Sequence, residues 1–196
     1  MDRNTYSTRA TLIDRLRNQY DESSWDDFIC TYRPFIFALI GKLGVELQER
    51  DDLAQRILLA LWQKLPEFEY NPEISRFRTW LSKVVRNQVY AYFSKSKYEQ
   101  QKRYYFGGEQ DAAESNKVYE IMEKEWKVFI SNLAWENIKN DFSDNIQQTF
   151  LMLSKGKSPQ QVSDLLGIEV STIYVQKKRV LDRLYREINR LGRELG

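Results

Sequence analysis

Apolar positions recur at helical spacing through most of the chain, and the cleanest pattern runs from Asp51 to Phe93. Over Asp51 to Leu65, a projection at about 100° per residue puts Leu53, Ala54, Ile57, Leu58, Ala60, Leu61 and Leu65 on one broad arc, the kind that faces a core. Asp52, Gln55, Arg56 and Gln63 fall on the opposite arc. Leu59 sits in the middle of that polar arc, and Trp62 lies at its edge. An apolar residue ringed by polar ones is either a docking surface for another protein or a stray exposed leucine, which is common. The next stretch, Phe77 to Lys95, turns Phe77, Leu81, Val84, Val85 and Tyr92 inward. Its outer arc carries Thr79, Ser82, Lys83, Arg86, Asn87, Tyr90 and Phe93. Cations, amides and rings interleaved on one face suit single-stranded nucleic acid: cations hold phosphates, rings stack on unpaired bases, and amides read base edges. The alternative is a solvated basic face whose rings pack sideways.

On either side of this stretch the pattern predicts further helices. Residues 1–22 form a polar extension with a short amphipathic piece at Leu12, Ile13, Leu16 and Tyr20. Ser23 or Ser24 is expected to cap a core helix built on Trp25, Phe28, Ile29, Tyr32, Ile36, Phe37 and Ile40. That helix is disturbed at Pro34, ends around Gly41 to Gly44, and carries no assigned chemistry. Cys30 within it reads as a small core residue. Two prolines, Pro66 and Pro72, set the loop after Leu65. Phe68 is expected to anchor that loop, and Ser75 to cap the helix that follows. From Ser96 to Asn116 the periodicity dissolves around Gly107-Gly108, as in a linker. It resumes at Val118 and runs through Met122, Trp126, Ile130 and Leu133, then breaks near Trp135 and Ile138. A further helix holds Ile146, Phe150, Leu151 and Leu153. In SPQQVSDLLG, Ser158 caps, Pro159 takes the first helical position, Gln161 completes a capping box and Gly167 stops the helix. Val162, Leu165 and Leu166 are expected to face inward. In the helix beyond, Val170, Ile173, Val180, Leu181 and Leu184 point in, while Tyr174, Gln176, Lys177, Lys178 and Arg179 point out. This is a helix-turn-helix whose second helix enters a DNA major groove, or an ordinary helical hairpin; the basic cluster favours DNA.

Composition narrows the classes. With 42% hydrophobic residues the chain can bury a core, so bulk disorder is excluded. The net charge of +2 says little, but its distribution says more. Eight bases oppose two acids between Asn71 and Arg103, and nine oppose four between Lys155 and Arg193, while Glu109 to Glu125 is acidic. Two basic lobes around an acidic middle fit a polyanion binder with two points of contact. The single cysteine forms no disulfide within the chain and fits a reducing cytoplasm. Histidine is absent, which rules out histidine-based catalysis and metal ligation. No apolar run approaches a membrane span and no apolar signal segment opens the chain, so a cytoplasmic protein without membrane insertion is expected. Asp51 and Asp52 diverge by about 100° on a helix and lack a third ligand, which argues against a metal-dependent nuclease. Neither a cofactor nor enzymatic activity is expected.

A site for opened strands, a site for duplex and a docking face occur together in bacterial sigma factors, and the residues resemble the extracytoplasmic-function class. Its region 2 signature resembles Asp52-Leu53-Ala54-Gln55, Leu61-Trp62, Phe68, Phe77-Arg78-Thr79-Trp80-Leu81 and Arg86-Asn87. Its region 4 signature resembles Phe150 to Leu153, Gly156, Val162, Leu166-Gly167-Ile168, Ser171-Thr172-Ile173 and Lys178-Arg179-Val180 to Arg183-Leu184. The resemblance covers roughly residues 20–95 and 118–190. It implies an all-α chain of two small helical domains, region 2 at 23–95 and region 4 at 118–193, joined by a flexible linker at 96–117. It also implies that Asp51, Asp52, Gln55, Arg56, Leu58, Leu59 and Trp62 dock on core RNA polymerase, at the clamp helices of the largest subunit. Arg56 stands where an acid is frequent. Arg78, Trp80, Lys83, Arg86, Asn87 and Tyr90 match the segment that captures the melted minus-ten promoter element. Ser171, Thr172, Tyr174, Val175, Lys178 and Arg179 match the positions that face the minus-thirty-five element, with Tyr174 where a base is often found. The partners implied are core polymerase, including its flap, promoter DNA and, for many members, an anti-sigma factor. The rival is a helix-turn-helix repressor or activator that binds duplex DNA without polymerase.

Overall fold

The computed structural model describes residues 13, 15–18, 20–68, 77–94 and 116–195, with the backbone alone at 116 and 117. Among the described residues there are seven helices: α1 Glu22–Lys42, α2 Leu47–Lys64, α3 Phe77–Phe93, α4 Asn116–Ile138, α5 Asp144–Ser154, α6 Pro159–Leu166 and α7 Val170–Leu195. Short 3-10 turns at Leu65–Glu67 and Lys139–Asp141 follow α2 and α4. No strand occurs among the described residues, and the protein is all-α as expected. The chain divides into two compact units, 1–128 with 194–196, and 129–193, so the division lies inside α4. Most of the expected linker, and Ser75, lie outside the described residues.

In the first unit α1, α2 and α3 close a core around Phe28, Tyr32, Leu53, Ile57, Leu61, Phe77 and Val85, all buried. The Phe77 ring meets Phe28, Tyr32 and Phe68 edge-on, at centroid distances of 6.2, 5.4 and 6.1 Å. Phe68 therefore anchors the chain after α2, as its spacing predicts. Glu49 accepts a hydrogen bond from the Tyr92 hydroxyl, tying α2 to α3. α2 begins at Leu47, four residues before the apolar pattern announces it, and α3 ends at Phe93.

α1 departs from its sequence pattern in three places. Its cap is Asp21 rather than Ser23 or Ser24: the Asp21 carboxylate accepts from the Ser24 N–H at 3.1 Å and from the Ser23 hydroxyl at 2.9 Å. Arg15 pairs with the same carboxylate. The bonds from Ser24 and Ser23, with help from Arg15, hold the Asp21 carboxyl down at about 2. Pro34 does not break the helix. Pro34 and Cys30 are both exposed, so the Cys30 carbonyl that loses its usual partner lies on the solvent side, where water can take its place. For the same reason Cys30 is a surface residue, not a core one. α1 ends at Lys42, as its pattern predicts, with Gly41 in its last turn. A Cβ there would sit 2.8 Å from the Arg50 guanidinium, whose Nε donates to the Val45 carbonyl at 2.9 Å.

The second unit packs Ile138, Phe142 and Val180 together, with Trp135, Ile146, Phe150 and Leu184 against them. Trp135 and Phe150 stack at 4.8 Å. The capping box forms as its spacing predicts. Ser158 Oγ accepts from the Gln161 N–H, and Gln161 Oε1 accepts from the Ser158 N–H. Gly167 ends α6 in the left-handed conformation, with φ 64°. A Cβ there would meet nothing within 4 Å, so Gly167→Ala carries only the backbone penalty. It should destabilise this unit by about 1–2 kcal/mol, read as a lower urea midpoint with an unchanged slope.

Two leucines expected inside are not. Leu165 is 59% exposed, because the two turns of α6 fully bury only Val162 and pack along a single line. Leu181 is also exposed, about 100° around the helix from Val180 and so off the buried stripe. That stripe instead runs Ile173, Val180, Glu187 at intervals of seven, with a carboxylate in its third place. Glu187 is 3% exposed. It accepts from Asn137 at 2.8 Å and from Arg190 at 2.6 Å, and Arg183 lies 3.6 Å away. The bonds from Arg190 and Asn137 and the charges of both arginines outweigh burial, which alone would raise it, and hold the Glu187 carboxyl below its ordinary value.

Candidate functional site

The outer face of α2 is laid out as its pattern predicts. Leu59 is 53% exposed, and Trp62, Gln55, Asp51, Asp52 and Arg56 are exposed around it, with Leu58 half-buried. Asp52 pairs with Arg56 one turn on. Asp51 takes the Arg33 guanidinium at 2.6 Å, which joins α2 to α1. Leu58, Leu59 and Trp62 form one wall of an open groove of about 460 Å³. The other wall is α1, through Glu22, Trp25, Asp26 and Ile29. The sequence pattern assigned no chemistry to α1. The available signal was Ile29, an apolar residue flanked on the helix by Asp26 three residues back and Glu22 seven back. What the two walls make is an apolar channel with acids on one side, a shape and charge suited to a partner with apolar knobs and basic flanks.

The face of α3 is divided lengthwise. Lys83, Asn87, Tyr90 and Thr79 form an exposed stripe. Trp80 is half-buried, its ring tilted against Phe68 at 4.9 Å and Phe77 at 5.7 Å. Arg78 and Arg86 belong to the other flank, where α4 lies. Arg78 pairs with Glu123, and its guanidinium stands 5.7 Å over the Trp126 ring. The Arg86 guanidinium stands 5.7 Å over the Tyr119 ring, and its Nε is buried without a hydrogen bond. Phe93, expected on the outer face, is fully buried and packs on Tyr92 at 4.9 Å. It lies seven residues from Arg86 and four from Val89, on the same side of the helix as Arg86. The six residues expected to serve one purpose are thus split: Lys83, Asn87 and Tyr90 face solvent, Trp80 braces the core, and the two arginines are engaged.

In the second unit Ser171, Thr172, Tyr174, Val175, Lys178 and Arg179 are all exposed and share one arc of α7, opposite Ile173 and Val180. Val175 is 68% exposed at its centre. Ser171 donates to Glu169 at 3.2 Å, and Arg179 stands 5.9 Å over Phe142. An apolar residue among hydroxyls, a phenol and two cations is a set that can meet both phosphates and base edges.

No helix among the described residues is long and apolar enough to cross a membrane. No curated protein and no solved structure matches the chain. A family model does match: residues 28–98 fit Sigma-70 region 2. The matched segment holds all of α2 and α3, with the groove wall at Leu59 and the stripe at Lys83, Asn87 and Tyr90.

Proposed function

We propose that the chain is a sigma factor of the extracytoplasmic-function type, which carries core RNA polymerase to a subset of promoters and performs no chemistry of its own. The observation that carries this is the coincidence of the region 2 match with two exposed faces that differ in character, one apolar on α2 and one basic, amide-bearing and aromatic on α3. In this reading Asp51, Asp52, Gln55, Leu58, Leu59 and Trp62 dock on the polymerase clamp helices, with the α1 wall completing the groove. Arg56 is turned back onto Asp52, so its contribution is to shape the acid rather than to reach the partner. Lys83, Asn87 and Tyr90 hold the melted minus-ten strand, with Arg78, Arg86 and Trp80 supporting them. Ser171, Thr172, Tyr174, Val175, Lys178 and Arg179 read the minus-thirty-five duplex as the second half of a helix-turn-helix. Each stacked base contributes about 1–3 kcal/mol, which helps offset unpairing.

Core polymerase reconstituted with this chain should start transcripts at discrete sites in a genomic library, and the chain alone should bind duplex weakly. Tight, sequence-specific duplex binding without polymerase, and no transcripts with it, would point to a conventional regulator. Within an active complex, Tyr90→Ala should slow opening of duplex promoters about tenfold, as expected for the loss of one stacked base, and should act less on a premelted template. Equal loss on both templates would remove Tyr90 from strand capture.

A further inference from the structure

We propose that the first half of α4 is an internal occupant of the strand-binding flank of α3, which must be displaced before a DNA strand is captured there; the proposal rests on α3 being the strand-capturing helix. Tyr119, Glu123 and Trp126 stand at i, i+4 and i+7, so they share one stripe of α4. Each meets α3 as a nucleic-acid strand would. The Glu123 carboxylate occupies Arg78 in the manner of a phosphate. The Trp126 and Tyr119 rings lie under the Arg78 and Arg86 guanidinium groups in the manner of bases. Trp126 is buried and seated edge-on against Phe35 at 5.4 Å, which seats the stripe within the first unit in the covered state. Glu123 belongs to the acidic stretch from Glu109 to Glu125 that separates the two basic lobes of the sequence.

The contact is built to yield. The Glu123 side chain is half exposed and its ion pair is screened by salt, so the pair shifts the balance between covered and open states by about fivefold at most. Arg86 leaves its Nε without a hydrogen bond in the covered state. A phosphate arriving at α3 gives that donor an acceptor it lacks and replaces Glu123 on Arg78. The exposed stripe of Lys83, Asn87 and Tyr90 meets the strand first, and α4 gives way as the arginines join in. The apparent affinity of the free chain for a strand is thereby reduced by the fraction of molecules in which α4 is seated.

The test uses the full chain and a fluorescein-labelled oligo-dT strand. Glu123→Gln should tighten binding by about threefold to fivefold and Glu123→Lys by more. Glu120→Lys, which adds the same charge one position off the stripe, should change it by less than about twofold. Glu123 and Glu120 are exposed, so all three variants should melt like the parent. The proposal is overturned if Glu123→Gln binds no more tightly, or if Glu120→Lys gains as much as Glu123→Lys. Transcription by core enzyme with the unaltered chain separates this outcome from the broader one. Transcripts without any gain in the Glu123 variants remove the occluding contact and leave the sigma role standing. A gain without transcripts keeps the contact and removes the sigma role.

Discussion

Leu59→Asp should reduce binding to core RNA polymerase by at least about thirtyfold, the loss of roughly 2 kcal/mol expected when a central apolar anchor is replaced by a charge. Leu59 is already more than half exposed in the free chain, so its replacement costs the fold little. Circular dichroism and the melting temperature should therefore match the parent while the polymerase affinity collapses. The groove adds a second requirement. Ile29 stands on the opposite wall, and Ile29→Asp should weaken binding too if the partner sits between the helices rather than on α2 alone. Unchanged affinity in the Leu59 variant would remove this face from docking. Loss in Leu59→Asp with none in Ile29→Asp would confine docking to the outer surface of α2.

The second large effect is expected inside the second unit, on the buried stripe of α7. Glu187→Gln should lower the stability of the second unit by about 1.5–3 kcal/mol at neutral pH, because charge-assisted bonds to Arg190 are replaced by neutral ones while Arg183 and Arg190 remain beside the site. Faster exchange of the α7 amides would report it, with the first unit as internal reference. The same change should alter the acid response. The carboxyl is held below its ordinary value of 4.5 in the folded chain. Its contribution is therefore complete above that ordinary value and disappears as pH falls through the lowered one. The parent should lose protection in α7 in that acid window. The Gln variant should start lower and lack this component, and parallel acid profiles for the two would assign the lost stability to packing rather than charge.

The elements that could be read from the sequence are those decided by neighbours along the chain. The capping box at Ser158 and Gln161, the left-handed stop at Gly167 and the inward arc of α2 depend on residues of a single helix and its ends, and all are found in place save Leu58, which is half-buried. The first cap was misplaced because Ser23, Ser24 and Asp21 are all competent, and Arg15, outside the helix, joins the last of them. Leu165 and Leu181 were misassigned because a two-turn helix and a narrow stripe bury less than periodicity allows. In the sequence Glu187 reads only as one of the four acids between Lys155 and Arg193. Its spacing from Ile173 and Val180 was visible, but a charge on an apolar stripe is interpretable only once Asn137, from another helix, is known to face it. Phe93 is buried rather than outward, and the contacts of Arg78 and Arg86 cannot be read locally for the same reason: their partners stand on α4, more than twenty residues further on. The exposure of Leu59, by contrast, can be read from the sequence, because none of the described residues comes to cover it.

Gly41 gives the groove between α1 and α2 a tolerance set at a distance. The Arg50 guanidinium lies where a side chain at 41 would begin, and from there it reaches the Val45 carbonyl in the turn that joins the two groove-forming helices. Any larger residue at 41 evicts that strut, because the helix backbone cannot yield and a guanidinium can. The turn then loses its brace, and the spacing of Ile29 from Leu59 is no longer held from that end. The gauge of the groove is kept, in this chain, by the absence of one carbon atom at the opposite end of α1.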